Sequence, residues 1–174
     1  MHRAQSTAIR PARAGDFAAI AEITNFYIAT TAIHFAYEPI ATAELEGAWR
    51  TAGERFPWLV AEEAGAVVGY AKAGTWRDRD AYSWTCEVGL YIADAARGRG
   101  LGGALYRELL AEVARRGFRS AIAGIALPND ASVALHARLG FAPVGVVREA
   151  GFKHDRWHDV AFYQLALAGY CGQT

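Results

Sequence analysis

Cysteine is scarce. Two residues among 174, Cys86 and Cys171, are too few for a disulfide framework, and a reducing compartment is the expectation. Net charge is absent as well: 18 Lys and Arg balance 18 Asp and Glu. A zero balance argues against non-specific attraction to nucleic acid or to an anionic membrane, while leaving room for a local basic patch. No window approaches the roughly 18 apolar residues of a membrane span, so no transmembrane helix is expected. The opening MHRAQSTAIRPARAGDF has no apolar stretch of signal-peptide length, and a soluble, cytoplasmic protein is expected. Repeats, low-complexity runs and linkers are also lacking. One domain is therefore expected, over residues 7–168, with flexible ends at 1–6 and 169–174.

What remains is 53% hydrophobic and 21% charged, enough for a sizeable core. TAIRPA, Thr7 to Ala12, reads as a short strand. Asp16 stands at a helix start, and Phe17, Ile20, Ile23, Tyr27 and Ile28 recur at helical spacing. Pro39 breaks the chain. Thr42 is placed to cap a second helix carrying Leu45 and Trp49, with Glu44 and Glu46 in its first turn. Two apolar runs between Pro57 and Trp76 flank Ala64-Gly65 and predict a hairpin. After the polar loop TWRDRDAYS comes a strand, WTCEVGLYIA, then a glycine turn and a helix with Leu101, Leu105, Leu109 and Val113 on one face and Gly117 at its end. A buried strand over 119–127, a helix from about Asp130 to Leu139, and two closing strands (PVGVVREA, VAFYQLAL) complete the chain. Only the middle β-α-β step must be parallel, which predicts a mixed sheet in an α/β (α+β) domain.

The glycine turn GRGLGG, Gly98 to Gly103, admits three readings. A dinucleotide fingerprint wants glycines at the strand end and an acid about twenty residues on. Here five residues intervene, and the acid is missing until Asp130. A Walker loop needs Lys-Ser or Lys-Thr after the last glycine, and neither follows. A plain tight turn leaves the interleaved Arg97 and Arg99 unexplained. Bare N–H groups at a helix start beside arginines form an anion site, so a phosphate-bearing ligand is preferred.

ARGRGLGGALYRELL resembles the acyl-CoA loop, Q/R-x-x-G-x-G/A, of the GCN5-related N-acetyltransferase superfamily. NDASVALHARLGF, Asn129 to Phe141, resembles that superfamily's second signature. PWLVAE, AYSWTCEVGLYI, LPNDASVALH and AGFKHDRWHDVAFYQL are, in that order, similar to the phosphinothricin and methionine sulfoximine acetyltransferase branch. The likeness runs from about Ile9 to Leu167. It implies acetyl-CoA as co-substrate, no metal, a small amino-acid-like acid as acceptor, and a homodimer. It also implies that Gly98, Arg99, Gly100, Leu101, Gly102 and Gly103 cradle the pyrophosphate of coenzyme A. Asn129 would hydrogen-bond the cofactor, and Leu90, Tyr91 and Ile92 would pair with the pantetheine amides like a short added strand. Asn129 also reads as a helix N-cap, and the two roles are compatible.

Transfer of acetyl from a thioester to an amine needs a base, because an ammonium has no lone pair, and donors for the thioester oxygen. Glu87 is the base candidate: it is the only acid in its apolar run, and alternation sets it on one face with Gly89 and Tyr91. Half-burial raises a carboxylate's pKa toward the working range of a base. A solvated Glu paired with arginine is the competing reading. His136 stands where most of the superfamily carries a tyrosine acid, a departure shared by this branch; it reads as a proton donor or relay, or as a packed core histidine. Arginine suits bidentate capture of a carboxylate or phosphinate. The resemblance places the acceptor's acid group near the loop containing Arg77, Asp78 and Arg79, with Val88 and Gly89 beside it; a solvated turn with local Arg–Asp pairs is the competing reading. Phe35 and Tyr82 read equally as pocket wall or core. A metal at His154 and His158 lacks an obvious third ligand. A Cys86 nucleophile is disfavoured because alternation turns it away from Glu87. Acetylation of a protein or peptide amine, and a non-catalytic CoA-binding module, are the alternative functions.

Overall fold

The computed structural model describes residues 7–170, so the ends 1–6 and 171–174, Cys171 included, lie outside the described residues. Strand β1 (Thr7–Pro11) leads through a 3-10 turn to helix α1 (Phe17–Thr30) and helix α2 (Thr42–Ala52). Strands β2 (Trp58–Glu63), β3 (Ala66–Thr75) and β4 (Thr85–Ile92) follow, then α3 (Leu101–Arg115), β5 (Ser120–Ala126), α4 (Asp130–Arg138), β6 (Ala142–Lys153) and β7 (Arg156–Ala166). They form one seven-stranded sheet in the order β1-β2-β3-β4-β5-β7-β6. Every neighbouring pair is antiparallel except β4 with β5, the step the sequence required to be parallel.

The apolar stripe of α1 is buried as its spacing predicts: Phe17, Ile20, Ile23, Tyr27 and Ile28 all face inward. With Leu45, Trp58, Val60 and Tyr70 they make the core on one side of the sheet. Leu105, Tyr106, Leu109, Leu110 and Val113 of α3 pack with Ala71, Cys86, Val88 and Ala121 on the other. Cys86 is fully buried there and burial pushes its thiol up to about 12, so it is chemically inert.

Two local expectations are refined. Thr42 is the first helical residue of α2 rather than its cap; Ala41 holds the capping position, and its carbonyl accepts from Glu44 and Leu45 N–H. Asp16 does precede α1, but its carboxylate accepts from Arg13 N–H at 2.7 Å and from both terminal nitrogens of Arg10. Arg10 also reaches Glu62 on β2 at 2.6 Å, so one guanidinium ties β1, the entry to α1 and β2 together. The Ala64-Gly65 hairpin forms as expected, with φ of 50° and 82°. The closing hairpin is longer than its apolar cores suggested, turning at His154-Asp155, both at positive φ. Among the described residues, no helix is long and apolar enough to cross a membrane.

Candidate active site

The parallel pairing of β4 and β5 stops early. Thr85, Cys86 and Glu87 pair with Ser120, Ala121 and Ile122, and there the ladder ends. Both strands nevertheless continue, β4 to Ile92 and β5 to Ala126, each held by its outer partner, β3 or β7. The two inner edges therefore splay into a fork from residue 88 onward. A backbone edge left unpaired in this way is a template for a ligand carrying amides.

The fork opens into a cavity of about 660 Å³, bordered by Val88, Gly89, Leu90, Tyr91 and Ile92 on β4 and by Ala123–Ala126 on β5. At its far end lies the glycine turn. Gly98 and Gly100 have φ of 75° and 80°, and Gly100 occupies the capping position of α3. Gly98, Gly100, Leu101, Gly102 and Gly103 all border the cavity. The N–H groups of a helix's first turn are unpaired by construction and carry the positive end of its dipole. Glycine at position 102 has a packing reason: a Cβ there would lie 3.2 Å from Leu90 Cδ2, so the helix start rides directly on β4.

The two loop arginines divide. Arg97 borders the cavity, with its guanidinium over the Tyr27 ring and an ion pair to Asp94 at 3.0 Å. Arg99, expected at the phosphate, instead pairs with the buried Glu63 at 3.0 Å and does not border the cavity. Asn129 borders it and also caps α4, its side chain accepting from Ser132 N–H at 3.2 Å.

His136 is buried, and both ring nitrogens are engaged. Nδ1 lies 2.7 Å from the Ser132 carbonyl oxygen, which can only accept, so Nδ1 carries the proton. Burial holds the ring's pKa below the ordinary histidine range and keeps it neutral, so Nε2 accepts from the Tyr106 hydroxyl at 3.2 Å. The proton of His136 is thus held by the Ser132 carbonyl. Tyr106, fully buried on α3, borders the cavity and was missed as a site residue. Its only sequence signal was a phenol within an apolar helix stripe, 30 residues before its partner.

A second cavity, of about 640 Å³, lies on the opposite side of β4 and shares Val88, Gly89, Tyr91 and Gly124 with the first. Glu87 opens onto it, opposite Gly74 of β3, where no side chain crowds it. Desolvation raises its carboxyl above the ordinary range, and Lys72 pulls the other way. Val88 turns its side chain into the core under α3, while Gly89, with no side chain, borders both cavities. Tyr91 stacks on Tyr70 at 5.3 Å and its phenol is pushed up to about 12 by burial.

Arg77, Asp78 and Arg79 are exposed and border neither cavity. Arg77 lies over Trp76 and Tyr82 of its own loop. Tyr82 and Phe35 are both exposed, and Phe35 lies near Gly151 and His158 of the closing hairpin. His158 is buried with Nε2 on the Lys153 carbonyl, four residues and a turn away from His154.

These features coincide with those of known proteins. The family model described as acetyltransferase (GNAT) domain matches residues 9–162. A phosphinothricin N-acetyltransferase of Streptomyces viridochromogenes is 46% identical over 156 residues, 90% of this chain and 85% of that one. An L-methionine sulfoximine/L-methionine sulfone acetyltransferase of Salmonella typhimurium is 39% identical over 91% of this chain and 94% of its own length. The crystal structure of a phosphinothricin acetyltransferase from Sinorhizobium meliloti in complex with acetyl-CoA superposes with a TM-score of 0.90 at 37% identity, covering 97% of this chain and 92% of that one. The chain belongs to the GNAT acetyltransferase family, in its phosphinothricin and methionine sulfoximine acetyltransferase branch.

Proposed function

We propose that the protein transfers acetyl from acetyl-CoA to the α-amino group of a small amino-acid-like acid of the phosphinothricin, methionine sulfoximine or methionine sulfone type. The fork carries this reading: just past Glu87 the inner edge of β4 is unpaired from Val88 to Ile92, and the glycine turn at the start of α3 borders the same cavity. The edge of Leu90, Tyr91 and Ile92 suits the amides of a pantetheine arm. The glycine turn suits a pyrophosphate, with Arg97 beside it and Arg99 held by Glu63. When bound, acetyl-CoA supplies the activated acyl group, and everything else falls to the protein.

Glu87, on the wall of the second cavity and two residues from Gly89, which borders both, takes the proton of the acceptor ammonium, directly or through a water. A base of raised pKa holds this position usefully near neutrality. Holding amine and thioester in line in two joined cavities is worth up to roughly 7–11 kcal/mol of the barrier. His136 acts as a positioning residue, fixing the Tyr106 hydroxyl at the cavity wall. Arg77 and Arg79 follow closely after Thr75, which borders the acceptor cavity; we assign them to the oxygen-bearing phosphinate, sulfoximine or sulfone end of the acceptor's side chain, with Asp78 setting the loop.

The same reading includes a homodimer and a cytoplasmic location. β6 is exposed along nearly its whole length, with Val144, Val146, Val147 and Phe152 outward and Trp157 of β7 beside them, an apolar face at the sheet edge suited to a second copy. Cytoplasm is where acetyl-CoA would be met, and recovery of the protein by osmotic shock alone would contradict it. The function is tested by incubating the protein with acetyl-CoA and each acceptor and weighing the product. A mass increase of one acetyl group on the α-amine, with free CoA in equal amount, is expected. Acetylation only of peptide amines, or binding of acetyl-CoA without product, would replace this reading.

A further inference from the structure

The acceptor cavity has two charged residues on its wall, Glu87 and Lys72. Lys72 lies in β3 opposite Gly89, and Glu87 lies in β4 opposite Gly74. The two are therefore diagonal neighbours on one face of the sheet, a placement that sets side-chain origins roughly 7–8 Å apart. They form no ion pair, and among the described residues the Lys72 ammonium has neither an ion pair nor a hydrogen bond. Its contact is with the face of Trp58, 4.8 Å from Nζ to the ring centroid. A cation resting on an aromatic wall beside a cavity, with no anion of its own, is unusual because a half-buried charge is normally paired.

We propose that Lys72 binds the α-carboxylate of the acceptor, so that Lys72 and Glu87 together recognise the two charges of an amino-acid zwitterion. The assignment rests on the amino-acid acetylation reading and names the group that selects it. The spacing fits: an α-amine and its carboxylate share one carbon, so a ligand of that size spans the gap between a lysine and a glutamate held apart. Both glycines matter here, since Gly89 and Gly74, directly across from the two charged residues, leave room for the ligand's backbone between them. Burial depresses the ammonium of Lys72, and Glu87 opposes that shift without cancelling it; a bound carboxylate would favour the charged form in the same direction as Glu87. Arg77 and Arg79, outside the cavity, remain for the far end of the ligand.

The test compares two acceptors, methionine sulfone and its α-amide, with wild-type protein, Lys72→Met and Lys72→Arg. A charge-assisted hydrogen bond lost from a carboxylate corresponds to about a ten- to hundredfold rise in KM. Lys72→Met is expected to raise KM for methionine sulfone by that factor, with a smaller change in kcat and none in acetyl-CoA affinity. For the amide, KM is expected to stay the same at a pH above the climb of either protein, and Lys72→Arg is expected to recover most of the affinity lost for the acid. If Lys72 served only to tune Glu87, both acceptors would lose kcat/KM by the same factor, with no selective rise in KM for the acid; that result overturns the assignment and leaves the acetylation reading intact. Equal KM values for wild type and Lys72→Met with the acid would also overturn it. A wild type that acetylates no amino acid removes the acetylation reading, and this assignment with it.

Discussion

At the scale of single residues, Glu87 was legible because an acid in the middle of an apolar strand demands an explanation. Alternation alone put it on the face with Gly89 and Tyr91 and turned Cys86 into the core. Its surroundings were not legible, because Lys72 reaches the same cavity from a different strand and only the register of β3 against β4 brings the two together. His136 is the converse case: its position was read correctly, but its chemistry depends on Ser132 and Tyr106, which the fold supplies. The electrostatics of Glu87 give a pH prediction. A carboxyl whose pKa lies above the ordinary range becomes a base only as pH rises through that higher value, so kcat/KM should climb over an interval above the usual carboxylate range of about 4. Lys72 lowers that pKa, so Lys72→Met should move the climb to still higher pH for any acceptor that the variant turns over. A rate profile flat down to pH 4 would remove Glu87 as the base.

At the scale of elements, sequence periodicity found the helices and most of the strands, and turn chemistry found the Ala64-Gly65 hairpin. It did not find the fork. β7 pairs with the whole of β5 from more than 30 residues downstream, past the point where β4 and β5 part, and neither strand's own residues mark that point. Local sequence also could not distinguish the two arginines of the glycine turn, since the partner of Arg99 is Glu63, on another hairpin. The glycines themselves carry a prediction. Gly100 has φ of 80° and its carbonyl accepts from Gly103 and Ala104 N–H, so the first turn of α3 depends on a left-handed residue there. Gly100→Ala should cost about 1–2 kcal/mol. In a chain of this size that is a fall in Tm of roughly 2–8 °C, with weaker binding of acetyl-CoA by calorimetry. An unchanged Tm and affinity would show that the left-handed turn is not required.

At the scale of the whole molecule, the sheet is covered by α1 and α2 on one face and by α3 on the other, and the β6 edge is bare. The mixed sheet and the single parallel step were predictable from the order of elements. The exposure of β6 was not, because an apolar strand reads the same whether a core or a second subunit covers it. Val144, Val146 and Val147 are 61%, 45% and 49% exposed, values that a covering partner would lower. Sedimentation should therefore give twice the chain mass of 18.8 kDa, and Val146→Glu, placing a charge in that face, should return the monomer. A wild type that sediments as a monomer at micromolar concentration would leave β6 a free edge.

The central claim is that Glu87, at the mouth of the fork, makes an amino acid's amine reactive toward acetyl-CoA. It is tested most directly by thiol release from acetyl-CoA with phosphinothricin, methionine sulfoximine, methionine sulfone and ordinary amino acids, in wild type and Glu87→Gln. The expected result is turnover of at least one of the three tetrahedral analogues by the wild type, and a loss of about 10²–10⁴-fold in kcat in the variant with acetyl-CoA binding unchanged. Wild-type rates retained by Glu87→Gln, or release seen only with peptide amines, would contradict it.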